Sequence, residues 1–600
     1  MPDAHDRSLR FNRRQAASLG ATGATALLLG QGAAADATPS ASPQASPAAS
    51  PVAVAPDPNS PFTTASTPRD EALAAAITAS GITLEDPGHT GGDVIDLRAG
   101  DIATLNPVLR QDGNSWAITS KIYESLVFAD PLSGTFVPQL ADSWEVSADG
   151  MRWRFHLAPN VTFHDGTPLT VEDVLFSFAA SVDDSGLAPN KATIDAVLAS
   201  VEKIDDATVE LTAKFPSSSF LFQTAGLVPI VPKHIWESIP FKEWGSAAGS
   251  AGQDPKQVIG TGPFTFVEWV QNDHITLKRN ETYWYAPWAP VVDQYIYRVG
   301  GTLQTFLTGE GDITGLSPSD AVSVQKDHPE FSVWPADAPA FWFYMTNLDE
   351  AHTTLFTDLR TRQALYYGID RQLLVDKVLL GFGKVADSYA QVPAAPGYAP
   401  DRLETVYTYD VDKAKQLLTD AGWTSGSDGT LAKDGTPFSF SVLYDETDPA
   451  SEQLVTYLQQ AWGDLGIKVE ASAMPFPSIM EAVNRRDYEM IYTGFGFYAP
   501  DGNTGLLFRT DATYPAGYNM AFYSNPEYDR LDDAQLRELD PAKRRELLIE
   551  QTNVVNNDAP WGLISYMQTI YGTHPRVHNY IPTGIDTPWT ILKVWVDPTG

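Results

Sequence analysis

The sequence predicts an α/β protein, and three stretches carry most of that prediction. FSFSVLY (438–444), Ser451–Leu465 and Ile467–Ala473 form a strand–helix–strand unit. Ile467, Val469, Ala471 and Ala473 alternate, which gives the last strand one buried face. Such a crossover implies a partly parallel sheet. Residues 136–176, FVPQLADSWEVSADGMRWRFHLAPNVTFHDGTPLTVEDVLF, instead form a run of hairpins closed by a helix. From about residue 338 the pattern changes again, to strands separated by long helices.

Composition limits the function classes. Six hundred residues amount to about four domain-sized units, and 43% hydrophobic with 19% charged residues is ordinary for a soluble globular chain. The net charge of −35 disfavours nucleic acid and anionic lipid as partners and mildly favours cationic or neutral ligands. Fifteen tryptophans fit an aromatic-lined cleft or simply extra core packing. With no cysteine, disulfides, thiol catalysis, cysteine metal sites and an acylated cysteine anchor are all excluded.

Taken in order, residues 1–35 read as an export signal. Arg13-Arg14 precede the weakly apolar Ala16–Gly30, and Ala33-Ala34-Ala35 supplies small residues for cleavage. The paired arginines resemble a twin-arginine signal, although Gln15-Ala16-Ala17 departs from it; the general secretory route is the alternative. Ala16–Gly30 is short of the about 20 apolar residues of a comfortable span, and no other segment is apolar enough. Residues 36–90 are expected to be a linker. Its 36–68 part is almost wholly Ala, Ser, Thr and Pro with eight prolines, a composition that buries no core. Extended at about 3.1 Å per residue it reaches on the order of 100 Å, enough for a spacer if the signal stays uncleaved as a membrane anchor.

The folded body is expected to begin near Gly91. Val94–Leu97 is strand-like and Trp116–Leu126 helical. Trp144–Val146 and Met151–Leu157 pair across an Asp149-Gly150 turn read as a two-residue hairpin. Val161–His164 is a further strand turned by Asp165-Gly166. Thr170 then caps a helix, with Asp173 reaching back to the cap. Gly260-Thr261-Gly262-Pro263-Phe264 opens a hairpin that runs to Arg279-Asn280 and Tyr283-Trp284. Further on, Asp358 and Asp370 cap helices, the second stopping at Gly381. Ala414, Leu417, Leu418 and Ala421 have amphipathic helix spacing before Gly422.

Several of these stretches resemble the landmarks of the family 5 extracellular solute-binding proteins, the receptors of ABC importers for oligopeptides, dipeptides, nickel complexes and some oligosaccharides. They are residues 136–176; a TLxP…IYExL pattern at Thr104, Leu105, Pro107, Ile122, Tyr123, Glu124 and Leu126; GTGPF…LKRNxxYW from Gly260 to Trp284; Gly311-Asp312-Ile313; and LRTRQALYYGIDRQLL at 359–374. The likeness spans roughly 91–590. It implies a periplasmic-binding-protein type II fold of two hinged lobes plus an extra β-rich domain, with lobe 1 built from 91–130, 258–337 and 561–600, the extra domain at 131–257, and lobe 2 at 338–560.

The resemblance also implies where a ligand sits. In lobe 2 a strand leads into Gly494-Phe495-Gly496-Phe497-Tyr498, where glycines let the backbone approach a ligand and aromatics offer flat faces. Tyr498 stands where peptide binders carry the aspartate that pairs with an α-ammonium group, so a neutral or sugar-like ligand gains weight over a free peptide N-terminus; Asp501 matches a later aspartate. In lobe 1, Gln111–Trp116 aligns with a cleft segment. Asp112, Gly113, Asn114 and Trp116 are candidates there, with Asn114 or Ser115 as helix caps the competing reading. Trp342 and Tyr344 lie on the presumed crossing strand opposite Phe341 and Phe343, and either pair can be core. Tyr566 aligns with a late cleft residue.

Enzyme signals are weak. His164-Asp165 are strand neighbours pointing to opposite faces, and the Asp445, Glu446, Asp448 group reads as a solvated loop. Ten scattered histidines show no two-ligand helix spacing, so no metal and no cofactor is expected. The function expected is an exported receptor, periplasmic or at the cell surface and optionally tethered by its signal. It would be monomeric, would capture a peptide-like, oligosaccharide or other small polar solute by lobe closure, and would deliver it to permease subunits served by a separate ATPase. A secreted hydrolase with an aromatic cleft, or a chemosensory receptor of the same fold, are the alternatives.

Overall fold

The structure is a computed structural model that describes residues 62–132, 134–185, 187–390, 395–496, 501–514, 517–587 and 589–597. One sheet of eleven strands runs through both lobes. Its order is Lys468–Met474, Ser439–Asp445, Met490–Gly496, Ser332–Thr346, Trp561–Thr573, Ile313–Gly315, Asp93–Arg98, Gln294–Val299, His274–Arg279 and Phe264–Val270, with Lys384–Val385 attached to Trp561–Thr573. Ser439–Asp445 and Lys468–Met474 are parallel and joined by the helix Pro449–Gly463, the strand–helix–strand unit that the sequence predicts. In lobe 1, Asp93–Arg98 is parallel to both its neighbours.

The two long strands Ser332–Thr346 and Trp561–Thr573 pair antiparallel and cross from one lobe to the other. Each lobe has its own core. Trp462, Trp561, Tyr344 and Tyr492 are central to lobe 2, whereas Ile118, Ile122, Tyr295 and Trp288 belong to lobe 1.

The extra domain has a separate core around Trp144, Phe155, Phe178 and Leu211. Its sheet is antiparallel, in the order Phe62–Thr64, Ala141–Ser147, Arg152–Leu157, Thr208–Ala213 and Leu198–Lys203. Gly150 takes φ +70° in the first turn, a conformation glycine adopts at little cost. The connection is longer than a two-residue hairpin, because pairing ends at Ser147 and resumes at Arg152. The Asp173 carboxylate accepts from the backbone N–H and hydroxyl of Thr170 at 2.9 and 2.7 Å, closing the predicted cap.

The expected linker 36–90 needs correction from residue 62 onward. Phe62–Thr64 adds an edge strand to the extra domain, and Arg69–Ser80 is a helix whose Ala72, Leu73 and Ala76 are buried, the first two in the lobe 1 core with Ile77 packed against it. Its three apolar positions suffice because Arg69 lies over the rings of Trp284 and Tyr285, at 4.7 and 4.9 Å, and donates to the Pro138 and Gln139 carbonyls. The signal and the remainder of the linker lie outside the described residues.

Candidate functional site

The crossing strands do not pair evenly. Their register shifts between Asp337 and Phe341 and again between Trp342 and Phe343. Residues 338–340 form a bulge opposite Met567, and Ala338, Ala340 and Met567 form a small apolar cluster with Trp342 against it. Polar groups border this floor. Asp337 accepts from Gln568 at 2.7 Å and pairs with Lys384. The Tyr566 hydroxyl donates to Asp387 at 3.0 Å and accepts from the Ser388 backbone N–H at 3.1 Å. Burial, with Asp387 beside it, pushes the Tyr566 hydroxyl well above the usual tyrosine range, so it stays protonated.

On the lobe 1 side the helix Gly113–Ile122 follows the loop leaving the carboxyl end of Asp93–Arg98. Its cap is Asp112, whose carboxylate accepts from the Ser115 N–H at 2.7 Å and the Ser115 hydroxyl at 2.6 Å. The capping reading thus holds for this segment, with Asp112 rather than Asn114 or Ser115 in that role. Asn114 donates to the Asp101 carbonyl at 3.2 Å. Trp116 is half-buried, and its indole N–H donates to the Asp586 carbonyl at 2.9 Å. Next to Asp586, Gly584 lies so close to Asp337 that a Cβ there would sit 1.9 Å from the Asp337 carbonyl oxygen. A continuous path therefore leads from Trp116 to the crossing strands.

Beneath Trp116 lies a buried charge group. Lys121 meets Asp586 at 2.9 Å, Arg98 bridges Asp586 and Asp96, and the Tyr295 hydroxyl donates to Asp96 at 2.6 Å. Burial raises the pKa of Asp586, but Lys121 and Arg98 outweigh it and hold the group below the usual carboxylate range.

The lobe 2 candidates are placed differently from expectation. Gly494 pairs with Trp342, whose ring covers it; a Cβ on residue 494 would lie 2.7 Å from the indole. That glycine makes room for Trp342 rather than for a ligand. Phe495 is 4% exposed and packs on Tyr518 at 5.5 Å. Tyr344 is buried edge-on to Trp462 at 5.0 Å. Phe495 and Tyr344 are therefore core residues: the pairing puts them on opposite faces of the sheet, and each face is covered there, by Tyr518 over Phe495 and by Trp462 over Tyr344. Trp342 is half-buried and stacks on Tyr492 at 5.9 Å. Gly496 is buried at the strand's end, and Phe497 and Tyr498 lie outside the described residues.

Contacts that sequence reasoning missed join the extra domain to lobe 2. The Ser218 N–H donates to the Leu536 carbonyl at 2.8 Å, and the Ser219 hydroxyl donates to Asp501. Asp501 also faces Arg544, which in turn meets Gln535. Asp501 stood out in the sequence only as a pattern match; nothing local pointed to Ser219 as its partner.

Residues 135–515 match the family described as bacterial extracellular solute-binding proteins, family 5 Middle. The chain belongs to that family. The oligopeptide-binding protein AppA of Bacillus subtilis is 27% identical over 451 residues, 74% of this chain and 80% of that protein. The glutathione-binding protein GsiB of Pectobacterium atrosepticum is 25% identical over 508 residues, 82% of this chain and 91% of that one. The solved structure of AppA from Bacillus subtilis in complex with a nonapeptide aligns with a TM-score of 0.70 at 24% identity, covering 85% of this chain and 100% of that one. The fold is thus that of the type II periplasmic-binding proteins. Among the described residues no helix is long and apolar enough to cross a membrane.

The family landmarks converge on scaffold joints. Glu124 of the IYExL stretch accepts from Tyr283 at 2.8 Å and Trp284 at 2.9 Å. His164 holds the Gly262 carbonyl at 2.9 Å while its other ring nitrogen accepts from the Gly260 N–H at 3.3 Å. Gly260 is required there, since a Cβ would lie 2.0 Å from the Ile122 carbonyl oxygen. Both His164 nitrogens are thereby occupied by backbone, and burial lowers its pKa to about 4. Arg576 clamps Asp312 of the Gly311-Asp312-Ile313 segment through two bonds of 2.6 Å.

Proposed function

We propose that the protein is an extracytoplasmic receptor of an ABC importer that captures a peptide-like solute between its lobes and releases it unchanged to a membrane permease. The observation that carries this reading is the pair of crossing strands with local register shifts, the only sheet continuity between two separately cored lobes among the described residues. Such a junction bends without breaking either core, which suits hinge closure. Family membership and the names of the relatives AppA and GsiB support a solute of peptide character.

The proposed solute contacts are Gly113, Asn114 and Trp116 from lobe 1 and Trp342 and Gly496 from lobe 2, with Phe497 and Tyr498 added on sequence grounds. Residues 1–35 are proposed to direct export by the twin-arginine route, with the Pro-rich segment as spacer. Mass spectrometry of whatever co-purifies with the protein tests the reading, followed by a melting-temperature shift when the stripped protein is given that compound back. A compound recovered chemically altered, or no shift with any solute, contradicts it. N-terminal sequencing of the exported protein tests the signal.

A further inference from the structure

Arg110 precedes the cleft helix and lies along its face. Its guanidinium sits 4.1 Å over the Trp116 ring and donates to the Thr119 hydroxyl at 2.9 Å. Thr119 is fully buried, so that end of the guanidinium is held inside the lobe. Arg110 itself is half-buried, and no carboxylate among the described residues comes within ion-pair distance of it. The nearest acidic group, Asp112, is committed to Ser115 as helix cap.

Other inward-facing arginines are not left this way. Arg98, Arg279, Arg544 and Arg576 each meet an aspartate. Arg362 and Arg371 spread their donors over several backbone carbonyls. Arg110 uses one of its five N–H donors on a hydroxyl and keeps the rest unspent. Desolvation accordingly lowers its pKa to about 9, with Asp112 only partly offsetting the effect. A desolvated guanidinium lacking a counter-charge is costly to keep unless something supplies the charge.

We infer that Arg110, stacked on Trp116, is the anchor for a free carboxylate of the solute. The inference rests on the receptor reading above and narrows its solute to one that carries such a group. Trp116 connects to the crossing strands through Asp586 and Gly584, so the Arg110–Trp116 stack is linked to the proposed cleft through that path. The stack leaves the planar fork of the guanidinium in a fixed orientation, and that fork matches a carboxylate through two parallel bonds. A phosphate dianion fits worse. The two nearby cations, Lys121 and Arg98, are already neutralised by Asp586 and Asp96, so only one positive charge is on offer.

The test uses the full chain, stripped of bound solute, and a library of short peptides prepared once as free C-terminal acids and once as C-terminal amides. Retained peptides are identified by mass spectrometry and their affinities measured by calorimetry. Wild type is expected to prefer acids over amides by roughly 10- to 100-fold, the range of a charge-assisted pair. Arg110→Gln is expected to lose that preference, its acids and amides binding alike, and Arg110→Lys to recover part of it. Equal retention of acids and amides by wild type, or an intact preference in Arg110→Gln, overturns the carboxylate anchor and leaves the receptor reading standing. Retention of neither form by wild type overturns both for peptides. Matching urea midpoints for wild type and Arg110→Gln separate lost recognition from lost folding.

Discussion

Trp116 keeps part of its indole exposed while its N–H is held by the Asp586 carbonyl, whereas Phe495 is 4% exposed and packed against Tyr518. Truncating them should therefore have opposite signatures. Trp116→Ala is expected to weaken solute binding by about 1–3 kcal/mol with little change in urea midpoint. Phe495→Ala is expected to lower unfolding free energy by about 3–5 kcal/mol, with affinity lost only as folding is lost. Calorimetry beside urea titration checks both; a Phe495→Ala protein of normal stability and poor affinity would return that side chain to the cleft. His164 gives a pH signature. Its folded pKa of about 4 lies below the ordinary 6.5, so between those values the unfolded chain binds the proton and the native protein does not. Stability should be full above pH 6.5 and fall by on the order of 2 kcal/mol as pH drops toward 4. His164→Gln should show a smaller fall over the same range in urea titrations at pH 4.5 and 7.

At the scale of elements, the helix Arg69–Ser80 shows how a segment of poor composition is held. Leu73 is 2% exposed in the lobe 1 core, so Leu73→Ala is expected to cost about 2–5 kcal/mol in urea unfolding, and a cost below 0.5 kcal/mol would mean the helix is not docked. Sequence reasoning passed over this helix because prolines up to Pro68 set the composition of the whole stretch, while its apolar face needs only Ala72, Leu73 and Ala76. Elements with local signals were legible: the Thr170–Asp173 cap, the caps at Asp358 and Asp370, and the parallel unit at 439–474. The lobe 1 candidates came from a segment alignment, and one of them, Asp112, serves as a helix cap. In lobe 2, alternation could not separate Trp342 from Tyr344, which share a face of the sheet and differ in what packs against them. Arg110 left no sequence signal, since an arginine is conspicuous only once its missing partner is visible.

For the whole molecule, a continuous sheet joins two separately cored lobes through the crossing strands. The extra domain is tied to lobe 1 through His164 and Arg69, and it touches lobe 2 through Ser218, Ser219 and Phe215, whose ring lies under Arg537. If the lobes open as proposed, the second set of contacts breaks while the first can stay, and the extra domain is then expected to travel with lobe 1. The polar character of the Ser219–Asp501–Arg544 contact suits such a movement, because water can replace each bond when the surfaces part. Small-angle X-ray scattering of the stripped protein, before and after addition of the co-purifying solute, tests closure most directly. A smaller radius of gyration with solute, and a solute recovered intact, is the predicted result; superimposable profiles at saturating solute would contradict it.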